Sequence, residues 1–100
     1  MDRFLLIYRG PPHGAAESWQ HDPQRWADWF ATLGSRVLDQ GALSHGSVDM
    51  DTRLAGPKSS SSSLAGYSVL AATDFNEAVK LAEQCPIFDE QGALEIAHLA

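Results

Sequence analysis

The sequence predicts an α+β fold: a four-stranded antiparallel sheet with two helices on one face. Three observations carry this prediction. Two stretches place apolar residues at helical spacing behind a clear N-cap, one opening at Asp22-Pro23 and one at Asp74 with Glu77. Four other stretches alternate or run apolar over strand lengths. The elements follow one another as strand, helix, strand, strand, helix, strand, which is the split βαβ, or ferredoxin-like, order βαββαβ.

Phe4 to Tyr8, FLLIY, is an apolar run bounded by Gly10, Pro11 and Pro12, as expected of a strand buried on both faces. Residues 10–18 form a loop, and Trp19 is placed as a lid over the core edge. Asp22 caps the first helix and Pro23 suits its first position, where no amide is needed. Trp26, Trp29, Phe30, Leu33 and Val37 then line one face. Two Trp and a Phe at this spacing point to core packing. Gly34 suggests a close approach to the sheet, and Gly41 is the expected residue just past the helix end.

Gly41 to Met50 is the second strand, with Leu43, His45 and Ser47 on one face and Ala42, Ser44 and Val48 on the other. Asp51 to Ser63, with Gly56-Pro57 and five successive serines, buries little and bridges a hairpin. In the third strand Tyr67, Val69 and Ala71 oppose Gly66, Ser68, Leu70 and Ala72. Asp74 and Glu77 form a capping box for the second helix, whose stripe is Phe75, Ala78, Val79, Leu81 and Ala82. Pro86 ends that helix near Cys85. Ile87 to Gln91 connects to the last strand, Gly92 to Leu99, where Leu94, Ile96 and His98 alternate with Ala93, Glu95, Ala97 and Leu99.

One hundred residues make one domain with one modest core. The formal net charge of −6, with the basic residues scattered, argues against a nucleic-acid partner. No apolar run is long enough to span a membrane and no leader pattern is seen, so a cytoplasmic protein is expected. The single cysteine, Cys85, agrees with a reducing compartment and with a small buried side chain. Two helices cover one sheet face only. The other would expose either Phe4, Leu6 and Tyr8 or Leu5 and Ile7, a large patch for a monomer. A two-fold homodimer with sheets packed face to face, a dimeric α+β barrel, follows.

The candidate chemistry is thin. None of His13, His21, His45 and His98 stands at metal-ligand spacing, so no metal is expected, and no phosphate loop or dinucleotide fingerprint calls for a cofactor. His45, if its strand face lines the space between sheets, is a general acid–base candidate. Glu95, in an otherwise apolar strand, is its candidate partner. The structural alternative for Glu95 is an ion pair across the dimer to Arg3 or Arg9. Tyr8 and Tyr67 are candidate ligand-binding hydroxyls for the same cavity.

The chain resembles the YCII-related family, in the branch with a DGPF motif. The resemblance rests on Leu5-Leu6-Ile7-Tyr8, Trp26 and Trp29, Gly41-Ala-Leu43 with Gly46, Gly66-Tyr67, Glu77-Ala78, Cys85-Pro86 and Gly92-Ala-Leu-Glu95-Ile96, a series that runs through nearly the whole chain. It implies the dimeric barrel. It also implies kinship with small lyases and dehalogenases of aromatic-compound breakdown, for which a His/Asp pair has been proposed. His21 falls one residue from the family's frequent His and is a third catalytic candidate. The chain has Ala55-Gly56-Pro57-Lys58 where the family has Asp-Gly-Pro-Phe, serines where its next polar residues stand, and Ala97-His98 where it has Arg-Pro. Two functions are expected from this. One is a protein that binds or transforms a small, cyclic organic acid, as a cofactor-independent lyase or isomerase if it is an enzyme. The other is a non-enzymatic regulatory module of the sigma-factor-associated kind, with the fold kept and the site lost.

Overall fold

The computed structural model describes residues 1–12, 21–44, 47–53, 56, 58–59 and 62–100. Its main elements are β1 (Asp2–Pro12), α1 (Pro23–Leu33), β2 (Val37–Leu43), β3 (Val48–Asp49), β4 (Lys58–Ser59), β5 (Ser62–Ala72), α2 (Phe75–Ala82) and β6 (Ala93–Leu99). Short 3-10 turns follow α1 and α2, at Gly34–Arg36 and Pro86–Phe88. The main sheet runs β2-β5-β1-β6, with every neighbouring pair antiparallel. With two helices, this is an α+β arrangement compatible with the ferredoxin-like fold. β3 and β4 pair separately with each other.

The register separates the sheet faces. Leu70–Phe4–His98, Ser68–Leu6–Ile96 and Gly66–Tyr8–Leu94 are rows across β5, β1 and β6 on the covered face. Phe4, Leu6, Tyr8 and Leu70 are buried there with Trp26 and Trp29 of α1, Ala78 and Ala82 of α2, and Cys85 and Ile87. The other face carries the rows Val69–Leu5–Ala97 and Tyr67–Ile7–Glu95. The face left uncovered by the helices is therefore the one with Leu5 and Ile7.

Both helix starts form as the capping residues predict. The Asp22 carboxylate accepts from the amides of Gln24 and Arg25, at 3.1 and 3.4 Å. Asp74 accepts from Glu77 N at 2.9 Å, and Glu77 reaches back one residue further than a standard box, to Thr73 N at 3.1 Å. Arg36 also bonds Glu77, and this pairing above all holds the Glu77 carboxyl below its ordinary range.

The first helix ends sooner than its apolar stripe suggests. Gly34 takes φ +59°, its amide bonds Phe30 O, and the helix stops at Leu33. Gly34, not Gly41, is the terminating glycine, because a left-handed residue interrupts the helical ladder however apolar the residues beyond it are. Val37 then starts β2 instead of extending α1. The second strand of the sheet is thus Val37–Leu43 rather than Gly41 to Met50, and its pairing with β5 closes the expected hairpin. Within the predicted loop, Lys58–Ser59 is a two-residue strand and Ser62 already belongs to β5. The placements of Trp19 and His13 lie outside the described residues.

β2 is irregular. Its register against β5 shifts twice, and Asp39 folds back to accept from Gly41 N at 2.8 Å. Gly41 has φ +70°, and a Cβ there would stand 1.9 Å from Tyr67 O. Gly41→Ala is expected to lower stability by about 2–3 kcal/mol, since both backbone conformation and strand approach must yield. Thermal denaturation followed by circular dichroism reads this as a fall in Tm of about 10–20 °C.

Candidate functional site

Tyr67, Ile7 and Glu95 form one row on the uncovered face, so two of the candidate residues share a face. Strand alternation puts them there, with Arg9 two residues beyond Ile7 on the same side of β1. Arg9 Nη2 pairs with Glu95 Oε1 at 3.3 Å. The ion pair considered for Glu95 across a dimer thus forms to Arg9 inside a single chain. Tyr67 is 42% exposed. The surrounding face is apolar: Leu5, Ile7, Val69, Ala71, Ala97 and Leu99 are all half-buried. His45, the proposed partner of Glu95, lies outside the described residues.

Tyr8 is not part of that row. One position along β1 from Ile7, it points to the helix side and is fully buried. Its hydroxyl donates to Ser68 Oγ at 2.7 Å, and Ser68 donates to Gln40 O at 2.7 Å. Burial pushes the Tyr8 hydroxyl well above its ordinary range, chiefly by desolvating the phenolate. Tyr8 and Tyr67 therefore stand on opposite faces of the sheet and do not share a cavity. The same effect raises the Cys85 thiol to about 12, so Cys85 packs as an apolar side chain.

His21 also belongs to the helix side. Its Nδ1 lies 2.8 Å from Glu90 Oε1 and its Nε2 3.2 Å from Ser44 O, with the ring edge-on to Trp26. Glu90 Oε2 accepts from Trp26 Nε1 at 2.8 Å and from Asp22 N at 3.0 Å. Side-chain exposure is 5% for His21 and 8% for Glu90. A histidine beside a carboxylate has the parts of an acid–base dyad. Here both carboxylate oxygens and both ring nitrogens already have protein partners. The bonds join the start of α1, the end of β2 and the loop before β6, so the cluster acts as a tie between elements. Glu90 is a residue that sequence reasoning missed. It lies in an unremarkable Asp-Glu-Gln-Gly turn, and nothing local marks it as a partner for a residue 69 positions away.

Among the described residues, no group of three or more His, Cys, Asp or Glu is placed to hold a metal ion. No helix among them is long and apolar enough to cross a membrane.

Among the described residues, the fold and these contacts define an α+β arrangement with buried polar ties at His21–Glu90 and Tyr8–Ser68 and an open, largely apolar sheet face. The chain matches no family model, no curated protein and no solved structure.

Proposed function

We propose that the chain is a homodimeric binding protein that receives a small, cyclic organic acid between two facing sheets, in the manner of the YCII-related dimeric barrels. The observation that carries this reading is the polar group Arg9, Tyr67 and Glu95 beside the apolar residues of the open face. The apolar part suits a ring. Arg9 supplies a planar pair of donors that matches a carboxylate, and Tyr67 adds a hydroxyl. Glu95 holds the guanidinium in place and is displaced, or retained as a proton acceptor, when an acid enters. If turnover follows binding, the class is a cofactor-independent lyase or isomerase, with His45 as the acid–base group.

Calorimetric titration with benzoate, salicylate and cyclohexanecarboxylate tests the reading. Saturable binding is expected, and Arg9→Ala should weaken it at least about tenfold by removing the charge-assisted pair. Failure of all three acids to bind would end it.

A second reading, the non-enzymatic regulatory module, is favoured by the His21–Glu90 cluster. The histidine nearest the family's position has its ring nitrogens engaged in holding elements together. Failure of the acids to bind a folded chain would agree with this reading.

A further inference from the structure

The charges of the open sheet face are unevenly engaged. Arg3 and Arg9 stand at opposite ends of the side of β1 that carries Leu5 and Ile7, and Glu95 lies beside Ile7 on β6. Arg3 donates to Ala100 O at 3.0 Å. Asp39, in register with Val69, accepts from the Gly41 amide. Arg9 and Glu95 are left near Tyr67 as one cation and one anion. Their contact is a single one, Nη2 to Oε1 at 3.3 Å. Among the described residues, Glu95 Oε2 and the rest of the guanidinium fork have no other hydrogen-bond partner. Exposed pairs of this kind are weakly held, so a ligand can part them.

The charge balance of this pair bears on what enters. A simple carboxylic acid brings a second carboxylate to one guanidinium. It leaves a net negative charge in a space where two facing sheets exclude water, which is costly. A zwitterion does not. Its carboxylate takes the Arg9 fork, its ammonium takes Glu95, and the site stays neutral with two charge-assisted contacts in place of one. In an α-amino acid both charges are carried on one carbon. That suits a cation and an anion that are themselves a hydrogen bond apart. The half-buried Leu5, Ile7 and Val69 give a ring side chain an apolar seat, with Tyr67 at its border.

We infer that the ligand of the open face is a ring-bearing α-amino acid bound as its zwitterion, with Arg9 on the carboxylate and Glu95 on the ammonium. The inference rests on the acid site proposed between facing sheets and narrows its ligand. Glu95 is then retained on binding, as the acceptor for the ammonium protons.

Calorimetric titration with L-phenylalanine, 3-phenylpropionate and 2-phenylethylamine provides the test, since the three share a ring and differ in charged groups. Phenylalanine should bind at least about tenfold more tightly than either of the others. Glu95→Gln keeps the shape of an exposed side chain and removes its charge, so Tm should not change. It should weaken phenylalanine binding at least about tenfold and leave 3-phenylpropionate as tight or tighter. Amide shifts on adding phenylalanine should centre on Ile7, Tyr67 and Glu95. Three results would overturn the inference: an analogue with one charge binding as tightly as phenylalanine, Glu95→Gln weakening phenylalanine and 3-phenylpropionate alike, or shifts centred away from the open face. In the second case Glu95 only positions Arg9. Tight binding of 3-phenylpropionate would leave the acid site itself standing. Binding of none of the three ligands would also end the inference, whereas the acid site falls only if benzoate, salicylate and cyclohexanecarboxylate fail as well.

Discussion

Glu90→Ala is expected to destabilise the fold by about 3–5 kcal/mol, because one largely buried carboxylate serves three donors. The side chain accepts from His21, Trp26 and the Asp22 amide at once. Truncation leaves the Trp26 indole N–H and the His21 ring facing a void that a small side chain cannot satisfy, and each unmet buried donor adds to the loss. It also frees the start of α1 from the turn before β6. Urea denaturation should show a lower midpoint with an unchanged slope. Glu95→Ala is the control: Glu95 is also paired, but its side chain is 61% exposed on the open face of the single chain. That substitution should change stability by no more than about 1 kcal/mol. If the two variants proved equally mild, the His21–Glu90 cluster would not be a structural tie and would return as the leading catalytic candidate.

Ile7→Lys is expected to convert the proposed dimer to a monomer while leaving each chain folded. Ile7 occupies the middle of the row Tyr67–Ile7–Glu95 on the uncovered face, where a single chain exposes lysine to water. Between two packed sheets the same ammonium would be buried beside a Glu95 carboxylate already paired with Arg9, at a penalty of several kcal/mol for each copy. Light scattering across a micromolar dilution series should give twice the chain mass for the unaltered protein and the chain mass for the variant, with little change in far-ultraviolet circular dichroism. Leu6→Lys, one residue earlier and fully buried, should unfold the chain instead. A monomeric unaltered protein would remove the facing-sheet arrangement and the cavity that depends on it.

Much of this fold was legible in the residues because its signals are local. Asp22, Asp74 and Glu77 cap helices within a few positions of themselves. The alternation in β5 places Tyr67 and Leu70 on opposite faces without reference to any other strand. The end of α1 was harder. Trp26 to Val37 keeps one apolar face throughout, and only the backbone of Gly34 reveals that the helix stops and β2 begins three residues later. Periodicity records which side is apolar, not where the chain changes direction.

The site was less legible. Parity within one strand could not relate Tyr67 to Glu95; the pairing of β5 and β6 on either side of β1 did so. The same register sent Tyr8 to the helix side, away from Tyr67, although both are tyrosines in neighbouring strands. The sequence by itself determined the order of elements, the helix starts and an excess of apolar surface over what two helices can cover. These depend on contacts within a turn or a strand repeat. The tertiary structure decided which face stays open, where Arg9 meets Glu95 and how Glu90 comes to hold His21, Trp26 and Asp22. Those contacts join residues more than 60 positions apart, where no short-range preference acts and only the packed sheet and helices set the distances.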